Sequence, residues 1–244
     1  MGKGKNYFEL CNDILTELFY EKIDTFEELD TLPEGIKVKQ DLNNALSFIC
    51  NNEERAWKFR EVSRFLQLVA KQGAYPLENG FIKYLRYADM PIVLSYIEGH
   101  EYLAYAEGMP LNYWMDDGEI NLYPVPSEDQ NGRLIKVSLL TYDYAKDKCG
   151  VAKPLMEYET DEPIIPAHHR DILKWRVCSD WRGSVNDAKA AFYERKYKKA
   201  YAALCNDQRL TSGYPAGFDI MPSNNTAQNA IMNAFYNPRT RRII

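Results

Sequence analysis

The sequence predicts an α+β protein: a helical bundle built from N- and C-terminal helices, with an inserted antiparallel β-domain and an extended C-terminal arm. Three observations predict this fold class. Apolar residues recur at helical spacing near the N-terminus and again after residue 166, whereas the middle of the chain consists of short alternating segments. After Asn206, glycine, proline and asparagine interrupt every pattern. The predicted units are residues 1–59, 60–162, 163–206 and 207–244.

Two helices are expected to open the chain. The first runs from Tyr7 to Tyr20, and Asn6 is placed to cap its start with a side-chain oxygen. The second runs from about Pro33 to Asn51, and Pro33 suits a first turn because that position needs no backbone N–H donor. Both segments repeat apolar residues three and four positions apart, as a helix that buries one face requires.

The middle of the chain is predicted to be a compact all-β unit. Its segments are short, alternate apolar with polar residues, and are rich in branched and aromatic side chains. Glycine and proline residues between them indicate turns. The expected strands are Val62–Val69, Phe81–Ala88, Ile92–Ile97, Glu119–Tyr123 and Leu134–Tyr142.

The segment YWMDDGEINLYPVP, residues 113–126, contains a hairpin signal. Asp117 and Gly118 lie between two alternating runs, where glycine supplies the positive φ of a tight turn and aspartate tolerates left-handed geometry. Pro124 and Pro126 close the second run. The apolar residues that this turn can direct toward a core are Ile120, Leu122 and Val125.

The carboxylates of the same segment leave a hydrolase as an alternative. Asp116, Asp117 and Glu119 are the best catalytic candidates by residue type, because two carboxyl groups in different environments can divide acid and base roles. Such a site would need these groups in a cleft with perturbed pKa values. The turn chemistry is the stronger interpretation, so no catalytic residue is assigned.

The aromatic residues of the segment leave a second alternative, a carbohydrate-binding β-module. Tyr113, Trp114 and Tyr123 could stack on a sugar if they lay on one exposed face. Half-buried aromatic residues are, however, usual in any sheet. The hairpin is therefore expected to serve the fold.

Two further helices are expected after DEPIIP, residues 161–166, whose prolines cannot continue a strand. The first covers Ala167 to Trp181. The second is expected to begin after Gly183 with Ser184 as its N-cap, supported by Asp187, and to continue to Leu204. Its packing stripe consists of Tyr193, Tyr197, Tyr201 and Leu204.

No metal or cofactor site is expected. His168 and His169 are adjacent, so on a helix their side chains point about 100° apart and cannot share a metal as histidines at i and i+4 do. His100 is remote from both. The five cysteines are odd in number and far apart, which favours free thiols over disulfides. Signatures of nucleotide hydrolysis, dinucleotide binding and serine hydrolysis are missing from the sequence.

Composition favours a soluble protein made in the cytoplasm that does not grip nucleic acid. Thirty basic and thirty-five acidic side chains give a net charge of −5, whereas a general phosphate-backbone binder is usually basic. No apolar run approaches the roughly 20 residues that cross a bilayer, so no membrane contact is expected. The N-terminus lacks the pattern of a signal peptide.

Residues 207–244 are expected to form an arm that becomes ordered on a partner. The segment is too apolar for a solvated tail and too interrupted for a packed element. Its end, FYNPRTRRII, combines aromatic residues with arginines, and tyrosine and arginine are enriched among interface anchors. The predicted anchors are Phe235, Tyr236, Arg239, Arg241 and Arg242.

Taken in order, these parts resemble the head-to-tail adaptor, or connector, proteins of tailed bacteriophages, in particular those of short-tailed phages. The resemblance covers most of the chain and lies in an ordered set of segments rather than in one motif. The set includes two opening helices, a β segment that passes from a G-x-P sequence to an aspartate-glycine turn, and a proline-rich entry into the later helices. The segments are Asn6–Leu18, Val38–Ile49, Gly108–Pro126 and Asp161–Pro166.

The resemblance implies a structural protein of the virion with no catalytic activity. Members of that family form a ring, commonly dodecameric, beneath the portal protein, and genomic DNA passes through the ring without sequence-specific binding. The helical part docks on the portal, the β-domain faces a tail or nozzle protein, and the C-terminal arm tends to embed in the portal. Another tail or neck component is the nearest alternative.

Overall fold

A computed structural model describes residues 4–51, 57–77, 79–98, 103–185 and 187–208. Within these ranges the protein has mixed α+β structure, with four α-helices and a large, mostly antiparallel sheet. None of the helices described is long and apolar enough to cross a membrane. The five predicted anchors of the C-terminal arm lie outside the described residues, as do all arm residues after Gln208.

The two N-terminal helices are confirmed. Helix α1 spans Tyr7–Glu17, and its start has a capping box, in which the Glu9 backbone N–H donates to Asn6 Oδ1 and the Asn6 N–H donates to Glu9 Oε2, each over 2.9 Å. Helix α1 ends before the predicted Tyr20 because Phe19 takes a positive φ of 71°, a helix-terminating conformation. Helix α2 spans Pro33–Cys50, with proline in its first turn.

The later helices are α3, Asp171–Ser184, and α4, Ala190–Asp207. The prediction that Ser184 caps α4 is wrong, because Ser184 is the last residue of α3 and its hydroxyl donates to the carbonyl of Trp181 over 2.7 Å. Asp187 instead accepts the backbone N–H of Lys189 over 2.8 Å, just before α4 begins. Gly183 does not end α3, since its φ is not positive.

The helices share a hydrophobic core to which both ends of the described chain contribute. Helix α1 contacts α2 and α3, and α3 also contacts α2 and α4. The loops that follow the sheet contribute Tyr144, Met156 and Ile165 to this core. The predicted tyrosine stripe of α4 packs here: Tyr193 is buried, and Tyr197 and Tyr201 are partly buried against it. The fully buried helical residues of this core include Leu10, Ile14, Leu42, Leu46, Ile49, Leu173 and Leu204.

All five cysteines are free, as predicted. Cys11, Cys50, Cys178 and Cys205 are buried, whereas Cys149 is exposed. Burial raises the pKa of the first three of these thiols to about 12, so they are protonated at neutral pH. The buried cysteines therefore serve as small apolar side chains of the helical core.

The described part of the chain contains one seven-stranded sheet and two smaller ones. The large sheet has the order β1-β9-β3-β4-β6-β7-β2, and its pairs are antiparallel except for β4 and β6. The predicted antiparallel β structure is therefore confirmed only as mostly antiparallel, because β4 pairs with β6, and β5 with β8 in a smaller sheet, in parallel. The five strands whose bounds were predicted, now β1, β3, β4, β7 and β9, all lie within two residues of those bounds, and the other seven are short or had no predicted bounds. The strands are β1 Glu61–Gln67, β2 Ala74–Pro76, β3 Gly80–Tyr87, β4 Val93–Tyr96, β5 Glu107–Gly108, β6 Asn112–Asp116, β7 Glu119–Tyr123, β8 Val125–Pro126, β9 Leu134–Thr141, β10 Ala145–Lys146, β11 Ala152–Lys153 and β12 Glu162–Pro163.

The sheet has a hydrophobic core of its own. Its buried members come from alternate positions of the long strands, as expected for a sheet that buries one face. None of the core residues belongs to the helices, so within the described ranges the helical core and the sheet core are distinct clusters. The sheet core includes Leu68, Ile82, Leu85, Tyr87, Ile120, Leu122, Ile135, Val137 and Leu139.

The Asp117-Gly118 hairpin is confirmed. Both residues have positive φ, 43° and 76°, and Asp116 pairs with Glu119 across the turn between β6 and β7. Ile120 and Leu122 are buried as predicted, whereas Val125 is half-buried. Pro124 follows a cis peptide bond, and Pro126 is buried in the short strand β8.

Candidate functional site

The carboxylates of the hairpin lie at its exposed tip. Asp116, Asp117 and Glu119 are all solvent-exposed. A cleft of about 300 Å³ opens between the edge strands β1 and β2, but the three carboxylates are not among the residues that line it. The structure therefore does not bring these groups together in a cleft, which is the arrangement that the hydrolase alternative requires.

The aromatic residues of the hairpin do not share one face. Tyr113 points into the sheet core, is 7% exposed, and contacts the ring of Tyr96 edge-on at 5.6 Å between centroids. In the antiparallel register, Trp114 and Tyr123 occupy the alternate positions, on the opposite side of the sheet. The sugar-stacking platform proposed for a carbohydrate-binding module is therefore not assembled.

The cleft between β1 and β2 is mostly apolar. Its walls are formed by residues of the two edge strands and by the core residues behind them, including Leu66, Leu77 and Leu139. A short loop joins the two edges, and the Val69 backbone N–H donates to the hydroxyl of Tyr75 across it, over 3.0 Å. The sheet thus curls until its two edges face each other.

The outward face of the sheet carries exposed aromatic residues around a polar centre. Phe65 on β1 and Phe81 on β3 are 64% and 61% exposed. Between them, Glu61 pairs with the Lys83 ammonium at 3.0 Å and accepts the hydroxyl proton of Ser138 at 3.1 Å. Exposed aromatic residues are enriched in protein interfaces. We call this surface the outer sheet face.

A buried polar junction connects the start of α1 to the segment before α3. Asp161 is fully buried, and its Oδ2 accepts the backbone N–H groups of Glu157 and Tyr158 over 2.7 and 2.9 Å and lies 2.9 Å from the Lys153 ammonium. Burial alone would raise the pKa of Asp161, but these donors outweigh it and hold the pKa below its usual value. Its backbone carbonyl accepts the N–H of Tyr7 over 2.7 Å, at the first turn of α1.

Arg170 strengthens the same junction. Its buried guanidinium donates to the carbonyls of Ile165 and Lys5, over 3.2 and 2.8 Å, and to the Glu162 carboxylate over 2.8 Å. Sequence reasoning identified the proline-rich segment as a strand breaker and missed this role. The arginine lies eight residues or more from most of its partners, so no local pattern in the sequence indicates the network.

The prediction that the two adjacent histidines diverge is wrong. Ala167–His169 form a 3-10 turn ahead of α3, and the rings of His168 and His169 lie 4.1 Å apart between centroids. The Nε2 atoms lie 3.5 and 3.3 Å from Oδ2 of Asp207, at the end of α4. Both rings therefore lie on the side of a carboxylate that is distant in sequence.

The surroundings of His169 favour its neutral form. Burial of the ring and the neighbouring His168 lower the pKa of His169, although Asp207 opposes the shift. A hydrogen bond from the side-chain amide of Gln208, over 3.0 Å, helps to lower the pKa of Asp207. We call His168, His169 and Asp207 the histidine cluster.

In comparisons with known proteins, no family model matches the chain and no curated protein is significantly similar to it.

Proposed function

We propose that this protein is a structural head-to-tail adaptor of a tailed bacteriophage. It forms a ring, dodecameric as in the family that it resembles, beneath the portal of the capsid. The ring joins the capsid to the tail and continues the DNA channel. The observation that carries the proposal is the order of its parts, because helices from both ends of the chain share a core and a β unit with a separate core lies between them.

In this arrangement the helices form a bundle, and residues 60–162 are a β-domain inserted between its halves. The bundle docks on the portal protein, and the β-domain contacts a tail or nozzle protein. The outer sheet face, with Phe65 and Phe81, supplies a surface of the kind that protein contacts use. The protein acts by connecting its partners and has no catalytic role.

The C-terminal arm, residues 207–244, is the proposed portal anchor. Phe235 and Tyr236 supply aromatic contact area, and Arg239, Arg241 and Arg242 can each donate two hydrogen bonds to one carboxylate of the portal. Genomic DNA passes through the ring without sequence-specific binding. A net charge of −5 suits a channel that should not bind the DNA tightly. The protein is made in the host cytoplasm and becomes part of the virion.

Electron microscopy of the protein mixed with its purified portal tests the proposal. We expect a ring of adaptor subunits attached to the portal. A variant that lacks residues 209–244 should fold but fail to bind the portal. Cells infected with phage that encodes this variant should yield capsids that lose their DNA. The truncation begins at residue 209 because the side-chain carbonyl of Gln208 accepts the backbone N–H of Phe59 over 3.2 Å.

A charge-preserving variant separates specific anchoring from general attraction. A triple variant in which lysine replaces Arg239, Arg241 and Arg242 keeps the three positive charges. It removes the planar guanidinium groups that donate bidentate hydrogen bonds. We expect weaker portal binding with unchanged melting. Full-affinity binding by the truncated protein would contradict the anchor. Binding to a tail protein without any binding to the portal would identify another tail or neck component instead.

A further inference from the structure

The histidine cluster brings three metal-ligating side chains together from two distant parts of the chain. His168 and His169 come from the turn before α3, and Asp207 comes from the last residue of α4. One potential ligand atom from each residue lies within 4.8 Å of the other two. This cluster belongs neither to the sheet surfaces nor to the predicted arm anchors.

The donor set suits a divalent transition metal. Two imidazole nitrogens and one carboxylate oxygen are ligands that Zn²⁺ accepts, with further positions open to water. At ligand distances of about 2.0–2.1 Å, a tetrahedral ion places its ligands roughly 3.3 Å apart. The widest spacing, which is at most 4.8 Å, must therefore contract toward this value. His168 can supply the movement, because its side chain is 65% exposed.

A second observation points to a missing ligand. The Nε2 atom of His169 is buried and has no hydrogen-bond partner among the described residues, although Asp207 Oδ2 lies 3.3 Å away. The contact lacks hydrogen-bond geometry, and a buried polar atom without a partner is costly. A metal ion beside this nitrogen would satisfy it.

The surroundings also hold the carboxylate in place. The Gln208 side chain donates to Asp207 Oδ2 over 3.0 Å and accepts the backbone N–H of Phe59 over 3.2 Å. Supporting hydrogen bonds of this type orient metal-ligating carboxylates. The carbonyl groups at the C-terminal end of α4 add negative potential, which favours a cation there.

We propose that His168, His169 and Asp207 bind one divalent transition-metal ion of the Zn²⁺ type. The ion fastens the C-terminal end of α4 to the turn that precedes α3. It thereby fixes the place where the chain continues into residues 209–244. This proposal does not depend on the adaptor function, since it rests on the geometry of the cluster alone.

Calorimetric titration of the full-length, chelator-treated protein with ZnCl₂ tests the site. We expect one ion per chain and an increase in melting temperature with free zinc, as binding to the folded state requires. His168→Ala and Asp207→Asn should each weaken binding by at least about tenfold, since loss even of a supporting residue typically costs 10–100-fold. Both replaced side chains are exposed by 46% or more, so the variants should fold.

Three matched controls keep the test specific. Glu194→Gln removes an exposed carboxylate from the same helix, Cys149→Ser removes the exposed thiol, and His100→Ala removes the remaining histidine. All three should bind zinc like the original protein, and Co²⁺ substitution should give the visible spectrum of nitrogen and oxygen ligation without thiolate bands. Absence of saturable binding, or binding that survives His168→Ala and Asp207→Asn, would overturn the proposal.

Discussion

Replacing Asp161 with alanine should destabilise the helical core far more than its position in a loop suggests. The change leaves the Lys153 ammonium and the backbone N–H groups of Glu157 and Tyr158 without the oxygen that they share. Leaving a buried donor unsatisfied costs about 1–3 kcal/mol, so loss of an oxygen that three donors share should cost about 3 kcal/mol or more. For a chain of this size each kcal/mol lowers the melting temperature by about 2–4 °C, so a fall of at least about 6 °C is expected.

Glu157 provides a matched control, because its carboxylate also lies 2.9 Å from the Lys153 ammonium. The Glu157 side chain is 62% exposed, whereas the Asp161 side chain is 1% exposed. Glu157→Gln should therefore cost no more than about 1 kcal/mol, as is usual for exposed pairs. Urea unfolding followed by circular dichroism measures both variants. Equal effects of Asp161→Ala and Glu157→Gln would refute the reasoning, because burial would then have no influence.

The depressed pKa of Asp161 also predicts a dependence of stability on pH. The carboxylate is favoured in the folded protein, so its stabilisation is complete above the unfolded pKa, about 3.9 for aspartate. The stabilisation is lost as the pH falls through the lower, folded pKa. In Asp161→Asn this part of the acid dependence should disappear. A variant whose melting temperature fell with acid as steeply as that of the original protein would contradict the assignment.

The remaining predictions concern turns and assembly. Gly118 has a positive φ, so Gly118→Val should destabilise the β unit by about 1–2 kcal/mol; the cost is backbone strain rather than a clash, because no atom lies within 4 Å of the added Cβ. Asp116→Asn should have almost no effect on stability. Urea unfolding of both variants measures the difference, and equal losses would contradict the prediction. Phe19→Gly should be more stable than Phe19→Ala by about 1 kcal/mol, because both remove the exposed ring but only glycine relieves the positive φ; the opposite order in thermal melts would exclude backbone strain. The isolated protein should be mainly monomeric and form a ring only against its portal, so a stable dodecamer alone in analytical ultracentrifugation would reject this.

Local chemistry explains which parts of the fold the sequence predicted well. The Asn6 cap and the Asp117-Gly118 turn depend on residues at most three positions apart, and both appear in the structure as expected. The tyrosine stripe of α4 follows from helical periodicity, which also operates over short distances. Signals of this kind can be read before the tertiary structure is known.

Tertiary contacts explain the errors. Arg182, in the last turn of α3, donates to the carbonyl of Leu18 and pairs with Asp187, so α3 continues past Gly183 and Ser184 loses the role of cap. The histidine rings converge on Asp207, nearly forty residues further along the chain, and sequence spacing cannot reveal that partner. The candidate metal site was missed for this reason. The predicted portal anchors lie outside the described residues, so they stay predictions.

The division between the two hydrophobic cores has a consequence for synthesis on the ribosome. Residues of the sheet core lie between Leu68 and Leu139, whereas the helical core extends from Tyr7 to Cys205. A nascent chain can therefore complete the sheet before α3 and α4, the helices that complete the core of α1 and α2, have been synthesised. Their uncovered apolar faces are open to wrong contacts until α3 and α4 emerge. Slow translation between residues 140 and 205 should thus favour aggregation of the unfinished chain, whereas faster passage shortens that exposure.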